Sequence, residues 1–268
     1  MPELPEVETT RRGIEPHIIN RRIADVVIRN PSLRWPVPRT LKHTLVGKQV
    51  TTVRRRAKYL LIGIGDGTLI IHLGMSGSLR IVECSEPPRT HDHVDLVMDN
   101  DRAVRLHDPR RFGAVLWSQQ PLAHPLLMNL GPEPWDVSAE HLLARSRKRR
   151  QAVKCFIMDS RIIVGVGNIY ASESLFLAGI RPTRAAGRVA IVEYTRLRDA
   201  MIQVLDKAIA VGGTTLRDFV SATGEPGYFR QQLNVYERDG ESCRICTSTI
   251  KRIVQVGRAS YYCPQCQR

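Results

Sequence analysis

The sequence predicts an α+β fold divided into several domains. Three observations carry this prediction: short β-branched runs fill the first half, a helical pattern fills much of the second half, and two cysteine pairs close the chain. A chain of 268 residues is long enough to bury a substantial core and to divide into two or three domains.

The N-terminal half is predicted to be rich in short strands joined by tight turns. A short helix is expected at Glu6–Glu15. The β-branched runs that follow are Ile23–Arg29, Val50–Arg56, Tyr59–Ile64, Leu69–Leu73, Leu79–Val82, Val94–Met98, Ala103–His107 and Ala114–Trp117. Gly65-Asp66-Gly67 and Asn100-Asp101 separate neighbouring runs as hairpin turns do. Many short strands at this spacing favour a sandwich or a barrel.

A turn-rich segment, Gly131-Pro132-Glu133-Pro134, separates this half from a helical one. Apolar residues recur at helical spacing over Ile191–Val211, and Gly212-Gly213 ends the pattern. That stripe indicates core packing and not a cofactor site. We therefore predict three domains, covering residues 1–131, 132–233 and 234–268.

The four C-terminal cysteines have the spacing of a zinc site. Cys243 and Cys246 form one C-x-x-C pair, and Cys263 and Cys266 form a second pair sixteen residues later. Four thiolates give a closed tetrahedral site, so one structural zinc ion is expected; the alternative is an unmetallated set of redox pairs. Two short strands, Ile250–Val256 and Ala259–Tyr262, would form a hairpin in this module. Its tip is expected to carry Lys251, Arg252 and Arg258.

Charge and cysteine usage restrict the class of protein. Lys and Arg outnumber Asp and Glu by 40 to 26, which gives a net charge of +14 and a pI near 10.0. Such a balance favours a nucleic-acid partner, although a protein can be basic without one. No segment approaches the roughly 18 apolar residues that span a membrane, and the N-terminus has no apolar signal core. Isolated Cys84 and Cys155, expected to be buried or half-buried thiols, indicate a reducing compartment.

Two segments in the helical half could contact phosphate. A basic run includes Arg145, Arg149 and Lys154 without any acid; it forms either a solvated face or a phosphate-contacting face. Gly165-Val166-Gly167 leads into a predicted helix at Asn168, where open backbone N–H groups can bind phosphate. A tight turn between helices remains the alternative for the glycines.

Four stretches together resemble bacterial formamidopyrimidine-DNA glycosylases. They are Pro2-Glu3-Leu4-Pro5-Glu6-Val7-Glu8, Arg56-Ala57-Lys58-Tyr59-Leu60-Leu61, the segment 165–173, and the cysteine module. The resemblance covers essentially the whole chain. It implies an N-terminal β-sandwich, a helix–two-turns–helix domain and a C-terminal zinc-finger hairpin. Leu4 favours the oxidised-purine branch over the endonuclease VIII-like branch, in which a glycine is expected there.

The resemblance implies four catalytic residues. After removal of Met1, Pro2 presents a secondary amine that can attack the sugar carbon, because an α-amino group has a pKa of about 7.7–8.0. Glu3 would assist ring opening as an acid, and Glu6 would support it. Lys58 would bind phosphate and donate a proton during elimination. Arg258 would grip the phosphates that flank the lesion.

The resemblance also implies the DNA contacts. A base must leave the duplex before it can be excised, and wedge residues fill the space that it leaves. Met75, Phe112 and Arg110 match the family's wedge residues and the arginine that reaches the orphaned cytosine. Further matching contacts are His91, Arg149 and Asn168. The segment 214–228 matches the loop that closes over the extruded base, with Arg217 where lysine is expected. Thr247 and Cys155 replace an expected glycine and proline.

The resulting expectation is a monomeric base-excision enzyme of the bacterial cytoplasm, associated with the nucleoid when bound to DNA. Its substrate would be double-stranded DNA that contains oxidised purines or abasic sites, and its one cofactor would be structural zinc. Two alternatives remain: an endonuclease VIII-like glycosylase for oxidised pyrimidines, or a zinc-ribbon DNA-binding protein without catalytic activity.

Overall fold

The structure, a computed structural model, describes residues 2–213 and 232–268. These residues form two compact units. The first contains residues 2–128 and 211–213, and the second contains residues 129–210 and 232–268. No helix in the described part of the chain is both long enough and apolar enough to cross a membrane.

The first unit contains two four-stranded antiparallel sheets and a long first helix. The sheet orders are β1-β6-β7-β5 and β2-β3-β4-β8. The elements are α1 Leu4–Ile18, β1 Ile23–Ile28, α2 Leu41–Leu45, β2 Val50–Arg56, β3 Tyr59–Ile64, β4 Gly67–His72, β5 Ser78–Glu83, β6 Asp92–Met98, β7 Arg102–His107 and β8 Ala114–Ser118, followed by a 3-10 turn at Pro121–Ala123.

The core of this unit lies between the two sheets. In β3 alternate residues are buried, so Leu60, Ile62 and Ile64 face the same apolar cluster as β6 residues such as Leu96. Apolar residues of α1, including Ile14, join that cluster. The predicted sandwich is therefore confirmed, and α1 is longer than the predicted Glu6–Glu15 because it begins at Leu4 and ends at Ile18.

The predicted hairpin turns lie where the sequence places them. Gly65 has a φ of 57° between β3 and β4, and Asp101 has a φ of 58° between β6 and β7. One expectation is wrong: Cys84 is exposed, because it follows the end of β5 at the rim of its sheet. Cys155 is half-buried, as expected.

The second unit combines helices with the C-terminal hairpin. Its elements are α3 Ala139–Ser146, α4 Val153–Ile157, α5 Asn168–Leu177, a 3-10 turn Ala186–Arg188, α6 Ile191–Ala210, β9 Lys251–Gln255 and β10 Arg258–Tyr262. Helix α6 buries most of the predicted stripe, including Tyr194, Leu197, Met201 and Leu205, and packs on α3 and α5. Ile191, the first residue of the predicted stripe, is exposed.

The hairpin register corrects one expectation about its tip. Gln255 pairs with Arg258 beside the turn, whereas Lys251 pairs with Tyr262 at the opposite end. Only Arg258 of the three predicted cations therefore flanks the tip. The hairpin packs on α5 through a small cluster that includes Phe176 and Tyr261.

Candidate functional site

Two predicted catalytic residues lie at the buried start of α1. Pro2 is buried, and Glu3 is only 3% exposed. The backbone N–H of Glu3 donates to the Glu6 carboxylate at 2.7 Å, and Glu6 is fully buried. Because the first N–H groups of a helix have no partner within the helix, this carboxylate caps α1 and fixes the direction in which Pro2 enters it.

A partly buried ion pair ties α1 to the turn that carries Lys58. The Arg55 guanidinium donates to Glu8 of α1 at 3.3 Å and to the Ala57 carbonyl at 3.0 Å. Burial of Glu8 raises the pKa of its carboxyl, but the hydrogen bonds and charges of nearby arginines outweigh burial and hold it below its ordinary value. Glu8 is therefore charged at neutral pH and binds Arg55. Arg55 also binds the Ala57 carbonyl, so it fixes the turn formed by Ala57 and Lys58.

The half-buried Lys58 lies beside a histidine that the sequence analysis did not select. His72 pairs with Tyr59 in the β3–β4 ladder, with ring centroids 4.9 Å apart. Burial, and then the positive charges of Lys58 and Arg34, lower the pKa of His72 to about 4. His72 is therefore neutral at neutral pH. Its Nδ1 accepts the Gly74 N–H at 3.0 Å, so the ring proton is on Nε2.

The predicted wedge residues lie on two loops whose backbones touch. Gly74 has a φ of 69°, and a Cβ at this position would lie 2.5 Å from the Phe112 carbonyl carbon and the Gly113 nitrogen. Only glycine permits that approach. Met75 follows Gly74 and is 40% exposed, and Phe112 precedes Gly113 and is 42% exposed. The Arg110 guanidinium lies 5.0 Å from the Phe112 ring centroid.

Asp108 connects the Phe112 loop to His91. Its carboxylate accepts the Gly113 N–H at 2.7 Å, and its backbone N–H donates to the His91 carbonyl at 3.0 Å. The Asp108 carbonyl lies 2.9 Å from the His93 ring nitrogen. His91 itself is exposed and has a φ of 75°. Met75, Phe112, Arg110 and His91 are therefore held in one assembly, with the fully buried Asp108 at its base.

A buried charge network supports the segment that leads to His91. Asp95 accepts two hydrogen bonds from Arg105, at 3.0 and 2.9 Å, and both residues are almost fully buried. Arg105 also donates to the Glu86 carbonyl at 3.1 Å. Since a buried guanidinium needs both a counter-charge and acceptors, the network fixes the chain at Glu86.

In the second unit, Lys154 holds the side chain of Asn168. Lys154 is 1% exposed, and its ammonium donates to Asn168 Oδ1 at 2.7 Å, to the Ala259 carbonyl at 2.9 Å and to Ser260 Oγ at 2.8 Å. Asn168 is the first residue of α5, after Gly167 as N-cap. Because its oxygen faces Lys154, its amide N–H₂ remains available to an acceptor on the other side.

These residues border a cavity with phosphate-binding chemistry. Its volume is about 210 Å³, and it is lined by Lys154, Asn168 and Arg258 together with Cys155 and Val256. The Arg258 guanidinium, the Asn168 amide and the N-terminus of a ten-residue helix can donate to a phosphate there. Lys154, whose three N–H groups are already donated, adds positive charge. The sequence predicted that the cations of the basic run share one surface face. This prediction is wrong for Lys154, which is buried and orients Asn168.

Arg149 belongs to the basic run and is half-buried. Its guanidinium lies 5.6 Å from the Phe156 ring centroid, and its carbonyl accepts the Gly187 N–H at 3.1 Å. These contacts hold the Arg149 backbone next to the short turn at Ala186–Arg188, and the predicted DNA contact of its side chain stays a prediction.

The four cysteines form a compact metal centre. Their sulfurs all lie within 4.8 Å of one another, with Cys243 and Cys266 at 3.9 Å and Cys246 and Cys263 at 3.4 Å. Zn–S bonds of ~2.3 Å in a tetrahedron place sulfurs ~3.8 Å apart, so the cluster fits one zinc ion with four protein ligands. Zinc binding requires that the four sulfurs be present as thiolates.

Glu173 joins the zinc module to α5. Its buried carboxylate accepts the backbone N–H groups of Asn234, Val235 and Tyr236, at 2.8, 2.9 and 2.9 Å, and also the Asn234 side-chain amide. This carboxylate therefore fixes the chain that enters the zinc module onto the helix whose first residue is Asn168.

The predicted site residues fall in both units. The first contains Pro2, Glu3, Lys58, Met75, His91, Arg110 and Phe112, and the second contains Arg149, Asn168, Arg258 and the four cysteines. The loop predicted to cover an extruded base, with Arg217, lies outside the described residues. His72, Asp108, Lys154 and Glu173 were not predicted individually, although Glu173 lies in the segment 165–173 and Lys154 lies in the basic run.

Comparison with known proteins gives consistent matches along the chain. Residues 1–115, 130–220 and 240–268 match the formamidopyrimidine-DNA glycosylase N-terminal domain, the formamidopyrimidine-DNA glycosylase H2TH domain, and the zinc finger found in FPG and IleRS. The formamidopyrimidine-DNA glycosylase of Thioalkalivibrio sulfidiphilus is 59% identical, and that of Stutzerimonas stutzeri is 55% identical; both matches cover all of each chain.

Solved structures agree with this match. The Lactococcus lactis FPG mutant G226P, in complex with Fapy-dG containing DNA, has a TM-score of 0.92 at 34% identity, with both chains fully covered. The FPG protein of Thermus thermophilus has a TM-score of 0.89 at 36% identity, covering 99% of this chain and 98% of that one. The L. lactis protein bound to DNA with an abasic site has a TM-score of 0.91 at 33% identity over both whole chains.

Proposed function

The chain belongs to the formamidopyrimidine-DNA glycosylase family, and from this membership we propose that it excises oxidised purines from duplex DNA and then cleaves the strand as an AP lyase. Its substrates would be 8-oxoguanine and formamidopyrimidines, and abasic sites for the lyase step. The observation that carries this proposal is the Glu8–Arg55–Ala57 link, which holds the Lys58 turn to the helix that begins behind Pro2 and Glu3.

Base loss would begin at Pro2. With Met1 removed, the neutral secondary amine attacks the sugar carbon that bears the damaged base, and the bond to the base breaks as the Pro2 nitrogen bonds to that carbon. The base leaves with the bonding electron pair and takes up a proton, and the Pro2 nitrogen loses its own proton. Glu3 supplies a proton to the ring oxygen as the sugar opens, which yields an iminium between Pro2 and the sugar. Glu3 follows Pro2 directly and is buried with it, so its carboxyl is close to the amine that forms the iminium.

Strand cleavage would follow from the iminium. Loss of a sugar proton expels the 3′ phosphate, and a second elimination expels the 5′ phosphate; Lys58 donates a proton in the first step. Asn168 and Arg258 would hold the flanking phosphates, which agrees with the cavity that both residues line.

The extruded base would leave a gap in the duplex. Met75 and Phe112 are exposed apolar side chains on loops locked together at Gly74 and Gly113, so they can enter a base stack without collapsing. Arg110, above the Phe112 ring, would bond to the orphaned cytosine.

We further propose that the enzyme acts as a monomer in the bacterial cytoplasm.

In this proposal the zinc ion cross-links the four cysteines and takes no part in the reaction on DNA. Because Cys243, Cys246, Cys263 and Cys266 fill all four positions of a tetrahedral ion, no position is open to substrate. The module holds the hairpin on which Arg258 flanks the tip. Losing the metal would therefore release that arginine, while Pro2 lies at the other end of the chain.

Borohydride trapping tests the proposal directly. Enzyme is mixed with a duplex containing 8-oxoguanine opposite cytosine and reduced, and the crosslinked peptide is mapped. We expect the crosslink at Pro2, and none at this residue in protein that retains Met1, because the Pro2 nitrogen is then an amide and cannot attack. Normal strand cleavage by protein that retains Met1 would show that the mechanism is wrong.

Two further experiments distinguish this function from the pyrimidine-specific and non-catalytic alternatives. Glu3→Gln should abolish base release, whereas Glu15→Gln, on the same helix but paired with Arg11 near the surface, should leave it intact. A duplex with thymine glycol should be cleaved poorly; preference for it over 8-oxoguanine would indicate a pyrimidine-specific enzyme. Salt-dependent binding without cleavage of either duplex would leave only the non-catalytic alternative.

A further inference from the structure

Val256 has an unfavourable backbone conformation at the hairpin tip. Gln255 pairs with Arg258, so Val256 and Gly257 form a two-residue loop. Their φ angles are 48° and 72°, as a type I′ turn requires, and such turns favour asparagine followed by glycine. A β-branched residue with positive φ is an outlier, because its Cβ crowds the backbone.

Packing within the protein does not offset this strain. Val256 is 89% exposed, so its side chain buries almost no apolar area against the second unit. Strained residues that gain nothing from their own fold are typical of ligand-contact positions.

The position of Val256 indicates the ligand. It lines the same cavity as Asn168, Lys154 and Arg258, and it adds an apolar edge to a polar and positively charged site. A nucleic-acid strand presents the matching chemistry: each phosphate is followed by a sugar whose C–H groups are the apolar part of the backbone.

We propose that Val256 is an affinity-determining residue that packs against the deoxyribose next to the phosphate held by Asn168 and Arg258. This inference rests on the proposed function, which brings a DNA strand to the cavity. Asparagine at this position relaxes the turn but gives up the apolar contact, so the strained valine is explained by what it contacts in the complex.

A matched pair of variants tests this proposal. Thr247 is also β-branched and exposed, has a φ of 61°, and belongs to the same zinc module without lining the cavity. Val256→Asn and Thr247→Asn should therefore both raise the thermal midpoint of the zinc-loaded protein. Only Val256→Asn should weaken binding, by about fivefold, since partial burial of a valine side chain is lost.

Binding is measured by fluorescence anisotropy on a duplex with a tetrahydrofuran abasic analogue, over a series of salt concentrations. Val256→Asn should keep the wild-type slope of log affinity against log salt, whereas Arg258→Ala should reduce the slope by about one. Val256→Thr, which keeps the branched shape and the strain, should weaken binding without changing the thermal midpoint.

Wild-type affinity in Val256→Asn and Val256→Thr would overturn the proposal, and so would an equal loss in Thr247→Asn. A reduced salt slope in Val256→Asn would also overturn it, since that result indicates a lost phosphate contact. Failure of the wild type to prefer the abasic duplex over undamaged DNA would instead refute the proposed function, and this inference with it.

Discussion

His72 should make the stability of the first unit depend on pH. Burial, reinforced by the charges of Lys58 and Arg34, lowers its pKa from 6.5 to about 4. Between these values the unfolded chain binds a proton at His72 and the folded chain does not. The contribution of neutral His72 is therefore present in full above pH 6.5, decreases as the pH falls, and levels off near pH 4.

The size of this effect follows from linkage. At pH 5 His72 is almost fully protonated in the unfolded chain but only about one-tenth protonated in the folded protein. Lowering the pH from 7 to 5 therefore lowers the free energy of unfolding by about 2 kcal/mol. That is a large part of a typical stability of about 5–15 kcal/mol. The variant His72→Gln keeps an acceptor for the Gly74 N–H but cannot titrate in this range.

Urea unfolding at pH 7 and pH 5 measures this difference. Fluorescence of Trp35 and Trp117 reports on the first unit, which contains both residues, once Trp135 of the second unit is replaced by phenylalanine in all three proteins. His43→Gln is the matched control, because His43 lies exposed on α2. We expect His43→Gln to lose as much stability as the wild type and His72→Gln to lose about 2 kcal/mol less. Equal losses in all three proteins would refute a neutral, buried His72 as the source.

Two other predictions concern the second unit. Cys246→Ser should lose zinc, measured by metal analysis, and with it DNA binding, while the first unit still unfolds cooperatively; a metal-free variant with full activity would contradict the scaffold role. Lys154→Met removes three hydrogen bonds and leaves the Asn168 oxygen without its donor. It should therefore lower the free energy of unfolding by about 3 kcal/mol and weaken DNA binding. Calorimetry and anisotropy check both effects, and unchanged affinity at reduced stability would show that Lys154 does not orient Asn168.

Local chemistry made the strands and the metal centre predictable from sequence. Tyr59–Ile64 alternates buried and half-buried residues, and Gly65 marks the turn that follows, so periodicity and turn residues agree. The zinc ligands were equally accessible, because C-x-x-C spacing alone restricts Cys243 and Cys246 to one side of an ion. Both inferences depend on residues that are neighbours along the chain.

Long-range contacts explain what the sequence could not provide. Lys154 belongs to a run of cations whose pattern indicates a single face, yet its ammonium is buried against β10, more than a hundred residues away. The cavity beside Asn168 is lined by residues from both of these segments, 151–168 and 255–260. Likewise, neither Gly74 nor Gly113 indicates that their loops touch, since the approach depends on sheet register and not on local pattern.

Buried charge recurs at the points where functional loops are attached. Asp108 holds the loop that carries Phe112, Glu173 holds the chain that enters the zinc module, and Lys154 holds Asn168. Apolar residues of similar volume often give equal or greater stability, so stability alone does not account for these charges. Glu173 and Lys154 each make several directed hydrogen bonds, and the Asp108 carboxylate accepts one from the Gly113 N–H. Such directed bonds fix one arrangement, whereas apolar packing tolerates many. We infer that the charges specify position, and position is what a reaction sensitive to misplacements of about 1 Å requires.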